Sequence, residues 1–228
     1  VERMRLALCA GLMAMAISVT GIAADVPVPK NYGQAMSWYE RAANGGNADA
    51  QFYLGVMYES GVRGNDMTVA AKWYLMAAEQ GHIEAQARLG ALYYRGDGVE
   101  RDTAKAAQWY AMAADGGSAQ AQYNLALMYE RGRGLQANAP MAAALFEKAS
   151  DNGIAAGRLN LSMLYAAGIG VGRDPARALM WLEMAAASGL NVSEGIRQSL
   201  VKELGEEKAT EAKRLAAERL KKSDDQVR

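Results

Sequence analysis

Cysteine is nearly missing from this chain: its 228 residues hold one, Cys9, inside an apolar stretch close to the start. A single thiol there leaves the remainder with neither a disulfide frame nor a thiolate site. Histidine is as scarce. His82 stands alone, so no second imidazole is present to share a metal ion or to activate a serine. A surplus of either charge is also lacking, with 25 basic and 25 acidic residues and a formal net charge of zero. No overall field therefore exists to recruit nucleic acid or an anionic membrane, and a partner must be recognised by local shape and chemistry. Aromatics are 7% of the chain, against 24 glycines and a 51% apolar share. That composition argues against disorder and for closely packed helices around a sizeable core.

The one long hydrophobic run covers residues 6–19, preceded by Arg3 and Arg5 and followed by Gly21, Ala23 and Ala24. This is the layout of a signal peptide over residues 1–24, cleaved after Ala23 or Ala24. Residues 6–24 are also just long enough to stay as an uncleaved anchor. Leu8, in front of Cys9, is too bulky for a lipoprotein cleavage box. The expected destination is export to the periplasm or secretion beyond it, with no stable membrane span once the leader is removed. Residues 25–30, with Pro27 and Pro29, read as an extended linker.

What fills the rest is a repeat. A small residue, three variable positions, Leu, a second small residue, two variable positions and Tyr occur four times. The copies are Ala50, Leu54, Gly55, Tyr58; Ala85, Leu89, Gly90, Tyr93; Ala121, Leu125, Ala126, Tyr129; and Gly157, Leu161, Ser162, Tyr165. Interleaved with them, Asn31, Asp66, Asp102, Asn138 and Asp174 each stand seven residues before Trp38, Trp73, Trp109, Leu145 and Trp181. Eight residues after each bulky position comes Gly46, Gly81, Gly117, Gly153 or Gly189. Asn and Asp cap helix starts by accepting from an orphan amide, and glycine ends helices by adopting a left-handed backbone at little cost. Pro175 after Asp174 suits a first helical position. Each unit thus reads as two antiparallel helices, helix A with the Leu/Tyr pattern and helix B with the Trp pattern, joined by glycine turns such as Gly96-Asp97-Gly98 and Gly132-Arg133-Gly134. The fold class is all-α, and since one pair cannot bury its faces alone, stacking supplies the stability.

The run Ala85-Gln86-Ala87-Arg88-Leu89-Gly90, followed by Tyr93, Gly96, Gly98-Val99, Asp102, Lys105-Ala106, Trp109-Tyr110 and Ala113-Ala114, resembles the Sel-one-like repeats, relatives of the tetratricopeptide repeats. The resemblance covers about residues 31–190 and implies a right-handed superhelical solenoid of antiparallel helix pairs. A lone helix B over 31–47 precedes full units at 48–82, 83–118, 119–154 and 155–190. Some exported relatives staple each unit with a disulfide, and this cysteine-poor chain is not of that subgroup. Two departures are visible: the turn at Gly61 to Asp66 is one residue short, and the third unit carries Leu145 and Asn138 in place of Trp and Asp. Beyond Leu190 the period fails, yet Ile196, Leu200, Leu204, Ala209, Ala212, Leu215 and Ala216 keep helical spacing among charged residues. A capping helix pair is expected over 191–222, with a frayed tail over 223–228.

Motifs that could carry chemistry dissolve into structure. Ser199-Leu200-Val201-Lys202 has the Ser-x-x-Lys spacing of penicillin-recognising enzymes, but Lys-Thr-Gly and Ser-Asp-Asn are absent. Because penicillin binding or hydrolysis is attributed to some relatives, an envelope hydrolase is the alternative reading. The glycines of residues 168–172 recur where every unit needs a turn, and no strand precedes them as a phosphate loop requires. His82 follows the glycine that ends a helix and reads as a solvent-exposed turn residue. Asn191-Val192-Ser193 fits a glycosylation acceptor only in form. No catalytic set, cofactor or metal site emerges.

What remains is a surface. Stepping 100° per residue from the stripe of Ala50, Leu54, Met57 and Tyr58 puts positions 49, 52, 53, 56 and 60 opposite it. In related solenoids helix A lines the concave side, and that carry-over selects Phe52, Tyr53, Val56, Arg88, Arg95, Tyr123, Asn124, Leu127, Arg131, Leu159, Asn160 and Met163. Aromatics, arginines and asparagines combine contact area with directional hydrogen bonds. The expected function is a non-catalytic scaffold or adaptor for a protein or peptide partner in a bacterial cell envelope. If the leader reading holds, mass spectrometry of the chain recovered from a bacterial envelope fraction finds its N-terminus at Ala24 or Asp25; an intact residue 1 there would mean an anchor instead.

Overall fold

The computed structural model describes the backbone of residues 32–227 and the side chains of residues 36–222. The expected leader with Cys9, the linker and the Asn31 cap lie outside the described residues. Among the described residues there are eleven α-helices and no strand: α1 (Tyr32–Asn44), α2 (Ala48–Glu59), α3 (Met67–Glu79), α4 (Ile83–Arg95), α5 (Thr103–Asp115), α6 (Ala119–Arg131), α7 (Ala139–Asp151), α8 (Ala155–Ala167), α9 (Pro175–Ala187), α10 (Glu194–Leu204) and α11 (Glu206–Val227). Even-numbered helices from α2 to α8 carry the Leu/Tyr pattern of helix A, and odd-numbered ones from α1 to α9 are helix B. Two compact units divide between Trp109 and Tyr110, inside α5.

The helix boundaries follow the punctuation in the sequence. Asp66 accepts from the Thr68 and Val69 amides at 3.0 Å each, Asn138 from Met141 at 3.0 Å and Asp174 from Arg177 at 2.9 Å. Asp102 does the same for Ala104 and Lys105, and the Lys105 amide holds its carboxyl below the ordinary range. At the other end Gly46, Gly81, Gly117, Gly153 and Gly189 have φ values from 83° to 94°, the left-handed region that glycine enters freely. Two turn glycines have a further reason to be there. A Cβ on Gly98 would lie 2.2 Å from the Met67 carbonyl carbon, and one on Gly170 would lie 2.3 Å from that of Ala139. The turn leaving a helix A therefore rests on the first residue of the preceding helix B, backbone against backbone.

In the first unit, Met36, Tyr39 and Ala43 of α1 pack with Ala50, Leu54 and Met57 of α2. Ala70, Ala71, Tyr74, Ala77 and Ala78 of α3 pack with Ala85, Leu89 and Leu92 of α4. Gly55 allows the Tyr74 ring to lie on α2, since a methyl there would fall 2.5 Å from a ring carbon. In the second unit Phe146, Met128, Leu161, Leu179, Trp181 and Leu182 are the largest fully buried side chains, and Gly157 lets α8 approach the Phe146 carbonyl and Ser150 of α7.

Past the last repeat, α10 is tied back by Arg173, which makes two bonds to Glu203 at 2.6 and 2.8 Å, and by Arg197 with Glu183 at 3.0 Å. The helix α11 does not form another regular pair with α10; it lies on α9, with Ala209, Ala212 and Ala216 each buried. Arg219 sits 4.3 Å above the Trp181 ring and donates to Glu147 at 3.0 Å and to Asp151 at 2.9 Å. The helix α11 runs through Val227, over most of the residues expected as a frayed tail. Its charged residues include i,i+3 and i,i+4 partners such as Arg214 with Glu211 and Glu218, which support a surface helix.

A buried polar column was not foreseen. Directly after each small residue that opens the helix A pattern stands Gln51, Gln86, Gln122 or Arg158, all buried. Each reaches back eight residues to a carbonyl in the last turn of the helix B before it: Gln51 to Ala43 at 3.1 Å, Gln86 to Ala78 and Gln122 to Ala114 at 3.2 Å, and Arg158 to Ser150 at 3.3 Å. Gln51 and Gln122 then accept from Gln80 at 2.7 Å and Asn152 at 3.1 Å, while Arg158 donates to the Ser188 hydroxyl. The buried guanidinium thus faces the C-terminal ends of two helices, where the backbone dipole favours a cation. Gln122→Leu keeps the volume but removes the donor to Ala114 and the acceptor for Asn152. Urea denaturation should show a loss of about 1–3 kcal/mol with the helical circular dichroism unchanged.

Candidate binding face

The positions opposite the buried stripe fall on α2 and α4 in the first unit and on α6 and α8 in the second. On α2, Phe52 is half-buried: its ring stacks on His82 with centroids 4.5 Å apart and tilts against Tyr74 at 5.7 Å. Tyr53 packs edge-on against Tyr39 at 5.7 Å, and burial together with the Asp49 and Glu84 carboxylates raises its pKa. Val56 lies against the α3–α4 core. Three of the first-unit candidates therefore spend much of their area between helices.

Arg88 and Arg95 on α4 are exposed. Arg88 donates to Glu59 at 3.3 Å, and Arg95 to Asp97 at 2.5 Å. Glu59 also accepts from the Tyr74 hydroxyl at 2.5 Å. Tyr74 is fully buried; burial first, and the bond to Glu59 second, push its pKa above the ordinary tyrosine range. One carboxylate at the end of α2 thereby links a buried phenol on α3 to a surface arginine on α4. Sequence reasoning overlooked Glu59 and Tyr74, because neither stands at a position that recurs with the same residue in every unit.

His82 needs a correction. It is not a solvent-exposed turn residue: it is the N-cap of α4, its Nδ1 accepts from the Ala85 amide at 3.2 Å, and its side chain is 12% exposed. Accepting at Nδ1 places the proton on Nε2, which faces Asp49 at 3.5 Å. The clue was present in the sequence, since Asn47, His82 and Ser118 hold the same place before successive helices, and Asn47 and Ser118 cap likewise.

In the second unit Tyr123 is half-buried against Phe146 at 5.6 Å, and Asn124 accepts from Gln120 at 3.3 Å. Leu127, Leu159 and Asn160 are half-buried; Arg131 is exposed beside Glu130, and Met163 is 49% exposed. Tyr123, Asn124 and Leu127 of α6 hold the register that Leu159, Asn160 and Met163 hold on α8, so a polar amide recurs between two larger apolar groups. That pattern offers apolar contact with a hydrogen-bonding group at fixed intervals. Ser199 and Lys202 are both exposed on α10, whereas a nucleophilic serine needs a base held beside it out of bulk water. A cavity of about 350 Å³ between α9 and α11 has Met180, Ala212 and Leu215 in its walls and Arg177, Glu207 and Glu211 among its charged groups. Among the described residues, no group of three or more His, Cys, Asp or Glu residues is placed to hold a metal ion, and no helix is long and apolar enough to cross a membrane.

Helix pairs with the same caps, the same close approaches and the same buried polar position, repeated along the chain, define a helical-repeat solenoid. The chain belongs to the Sel1 repeat family, whose profile matches residues 17–47, 48–82, 83–118, 119–154 and 155–190. The first match begins inside the stretch read as a leader. This is a family whose repeats commonly serve as scaffolds for protein interaction. Among solved structures, the chain is similar to c5321, a protective antigen present in uropathogenic Escherichia coli strains that displays an SLR fold, with 29% identity and a TM-score of 0.74. The match covers 94% of this chain and 46% of that one, so this chain spans less than half of that protein's length. A Sel1 repeat protein from Oxalobacter formigenes matches at 27% identity and a TM-score of 0.65, covering 79% of this chain and 80% of its own. No match was found among curated proteins.

The Tyr74 hydroxyl is held protonated in the fold, whereas an unfolded tyrosine ionises near pH 10. Its stabilising contribution is therefore complete below about pH 10 and is lost as pH rises above that value. In urea titrations, Tyr74→Phe should cost about 1 kcal/mol at neutral pH and flatten the alkaline limb of the stability curve above about pH 10.

Proposed function

We propose that this protein is a non-catalytic scaffold that holds a protein or peptide partner in the cell envelope, using the helix A face. One observation supports this reading above the others. On the four A helices, the residues recurring with the repeat are accounted for by caps, close packing and the buried polar column, while the positions opposite present exposed Arg88, Arg95, Arg131 and Met163 beside half-buried Tyr123, Asn124 and Asn160. Arginine and tyrosine with adjacent amides bind well because a large contact area comes with directional donors and acceptors. The expected leader supports the envelope assignment, and the near-zero net charge fits a partner recognised by shape and not by a long-range field. The proposed contacts lie within each unit, Arg88 on the first and Asn124 on the second.

Photo-crosslinking the full chain in envelope extract, followed by affinity capture, tests the reading. The double variant Arg88→Ala with Asn124→Ala should reduce capture of a specific partner by about tenfold or more, the cost expected when central contacts are truncated. Its helical circular dichroism should match the parent. Capture unaltered in a folded double variant would remove the helix A face from the mechanism.

A further inference from the structure

The single histidine of the chain does at the start of α4 what oxygens do elsewhere. Asn47 and Ser118 accept the Ala50 and Ala121 amides at 2.8 and 3.3 Å, and Ile154, before α8, offers no side-chain acceptor. A side-chain amide or hydroxyl oxygen keeps its lone pairs whatever the pH. His82 accepts the Ala85 amide through Nδ1 at 3.2 Å, and an imidazole nitrogen accepts only while it carries no proton. Imidazole is also the side chain whose charge changes between about pH 5 and 8. Of the four A helices, α4 alone is therefore capped by a group that a proton takes out of use.

The surroundings supply an alternative for the protonated ring. Asp49 of α2 lies 3.5 Å from Nε2, and Glu84 of α4 lies 3.5 Å from Nδ1. Tyr53 of α2 is the third titratable neighbour; burial and these same two carboxylates raise its pKa, so it stays a neutral phenol. From α3, Tyr74 meets Phe52, while its hydroxyl is bonded to Glu59. Phe52 itself stacks on the imidazole with the planes 21° apart and carries no charge. A proton added at Nδ1 breaks the bond to the Ala85 amide and puts a cation at the positive end of α4. It also creates a second N–H, for which Glu84 is in place, while Nε2–H keeps Asp49. With the side chain 12% exposed, these acids and not bulk water are the nearest acceptors.

We infer that His82 is a pH-operated latch at the start of the second full repeat. Neutral, it caps α4; protonated, it releases the Ala85 amide and ties Asp49 of α2 to Glu84 of α4. Loss of the cap and gain of the ion pairs oppose each other in overall stability, so the event is read at the Ala85 amide. The ring stacks on Phe52, a residue of the helix A face, and the exchange therefore reaches that face. The latch is a property of the free chain, and its test uses no partner, so it stands or falls apart from the scaffold reading.

Nuclear magnetic resonance of the full chain, labelled with nitrogen-15 and titrated from about pH 8 to about pH 5, tests the latch. At the upper end the imidazole nitrogen shifts should place the proton on Nε2. On acidification the Ala85 amide shift should follow the imidazole titration. Its protection against exchange, corrected for the intrinsic pH dependence of exchange, should fall about fivefold, the factor that a helix cap contributes. Ala50 and Ala121, held by Asn47 and Ser118 at the same place on α2 and α6, should keep their protection. His82→Asn, which copies the Asn47 cap, should keep Ala85 protected throughout; should that variant not fold, the comparison with Ala50 and Ala121 in the parent chain still decides. A proton on Nδ1 at about pH 8, or an imidazole still neutral at about pH 5, overturns the inference. So does an Ala85 amide whose protection is unchanged while the ring titrates, or one that loses no more than Ala50 and Ala121 do.

Discussion

Where a helix A starts, it lies against the end of the helix B before it, where the carbonyls of Ala43, Ala78, Ala114 and Ser150 each accept one backbone amide, from Gly46, Gly81, Gly117 and Gly153, and keep a second lone pair. In this protein a side chain from the second repeat position of helix A donates to that second lone pair each time, from Gln51, Gln86, Gln122 or Arg158. The requirement is strict because the side chain is buried: an amide or guanidinium without an acceptor in that place costs more than a hydrogen bond contributes in water. It also fixes geometry. An amide that must reach a particular carbonyl sets the rotation of helix A on helix B, and with it which residues turn inward and which are left for solvent.

Packing within each unit builds on that rotation. Gly55 is where the Tyr74 ring descends onto α2, and Gly157 is where α8 meets the Phe146 carbonyl. Once Tyr74 is buried its hydroxyl needs an acceptor, which Glu59 supplies while also holding Arg88 at the surface. An interior constraint thus positions an exterior cation. The same logic sorts the helix A face. Phe52 and Tyr53 are drawn into contacts between helices by His82 and Tyr39, whereas Arg88, Arg131 and Met163 keep most of their reach outside.

The end of the repeat shows how a stack of this kind is closed. An amphipathic helix with an alanine stripe is laid on the outer side of α9, and its arginine joins an indole ring to the carboxylates of α7. A cation held between an aromatic face and two acids is better satisfied than a simple exposed ion pair, whose contribution is small. The helix α10 relies on ion pairs, Arg173 with Glu203 and Arg197 with Glu183, and has one buried residue, Leu200.

Sequence alone determined the period, the all-helical class, the caps Asp66, Asp102, Asn138 and Asp174, and the exits at Gly81, Gly117, Gly153 and Gly189. These depend on local chemistry, an acceptor for orphan amides or a residue tolerant of positive φ, and local chemistry is written in neighbouring residues. The helix A face was legible as a set of positions, since 100° steps identify what lies opposite a buried stripe. Which members of that set stay open was decided only by the tertiary structure, because whether Phe52 meets His82 or solvent depends on a helix some thirty residues away. The Tyr74–Glu59–Arg88 link, the buried amide column and the seat of α11 on α9 are of the same kind. Each is a contact between groups distant in the chain, and its energy comes from excluding water, which no stretch of sequence does by itself.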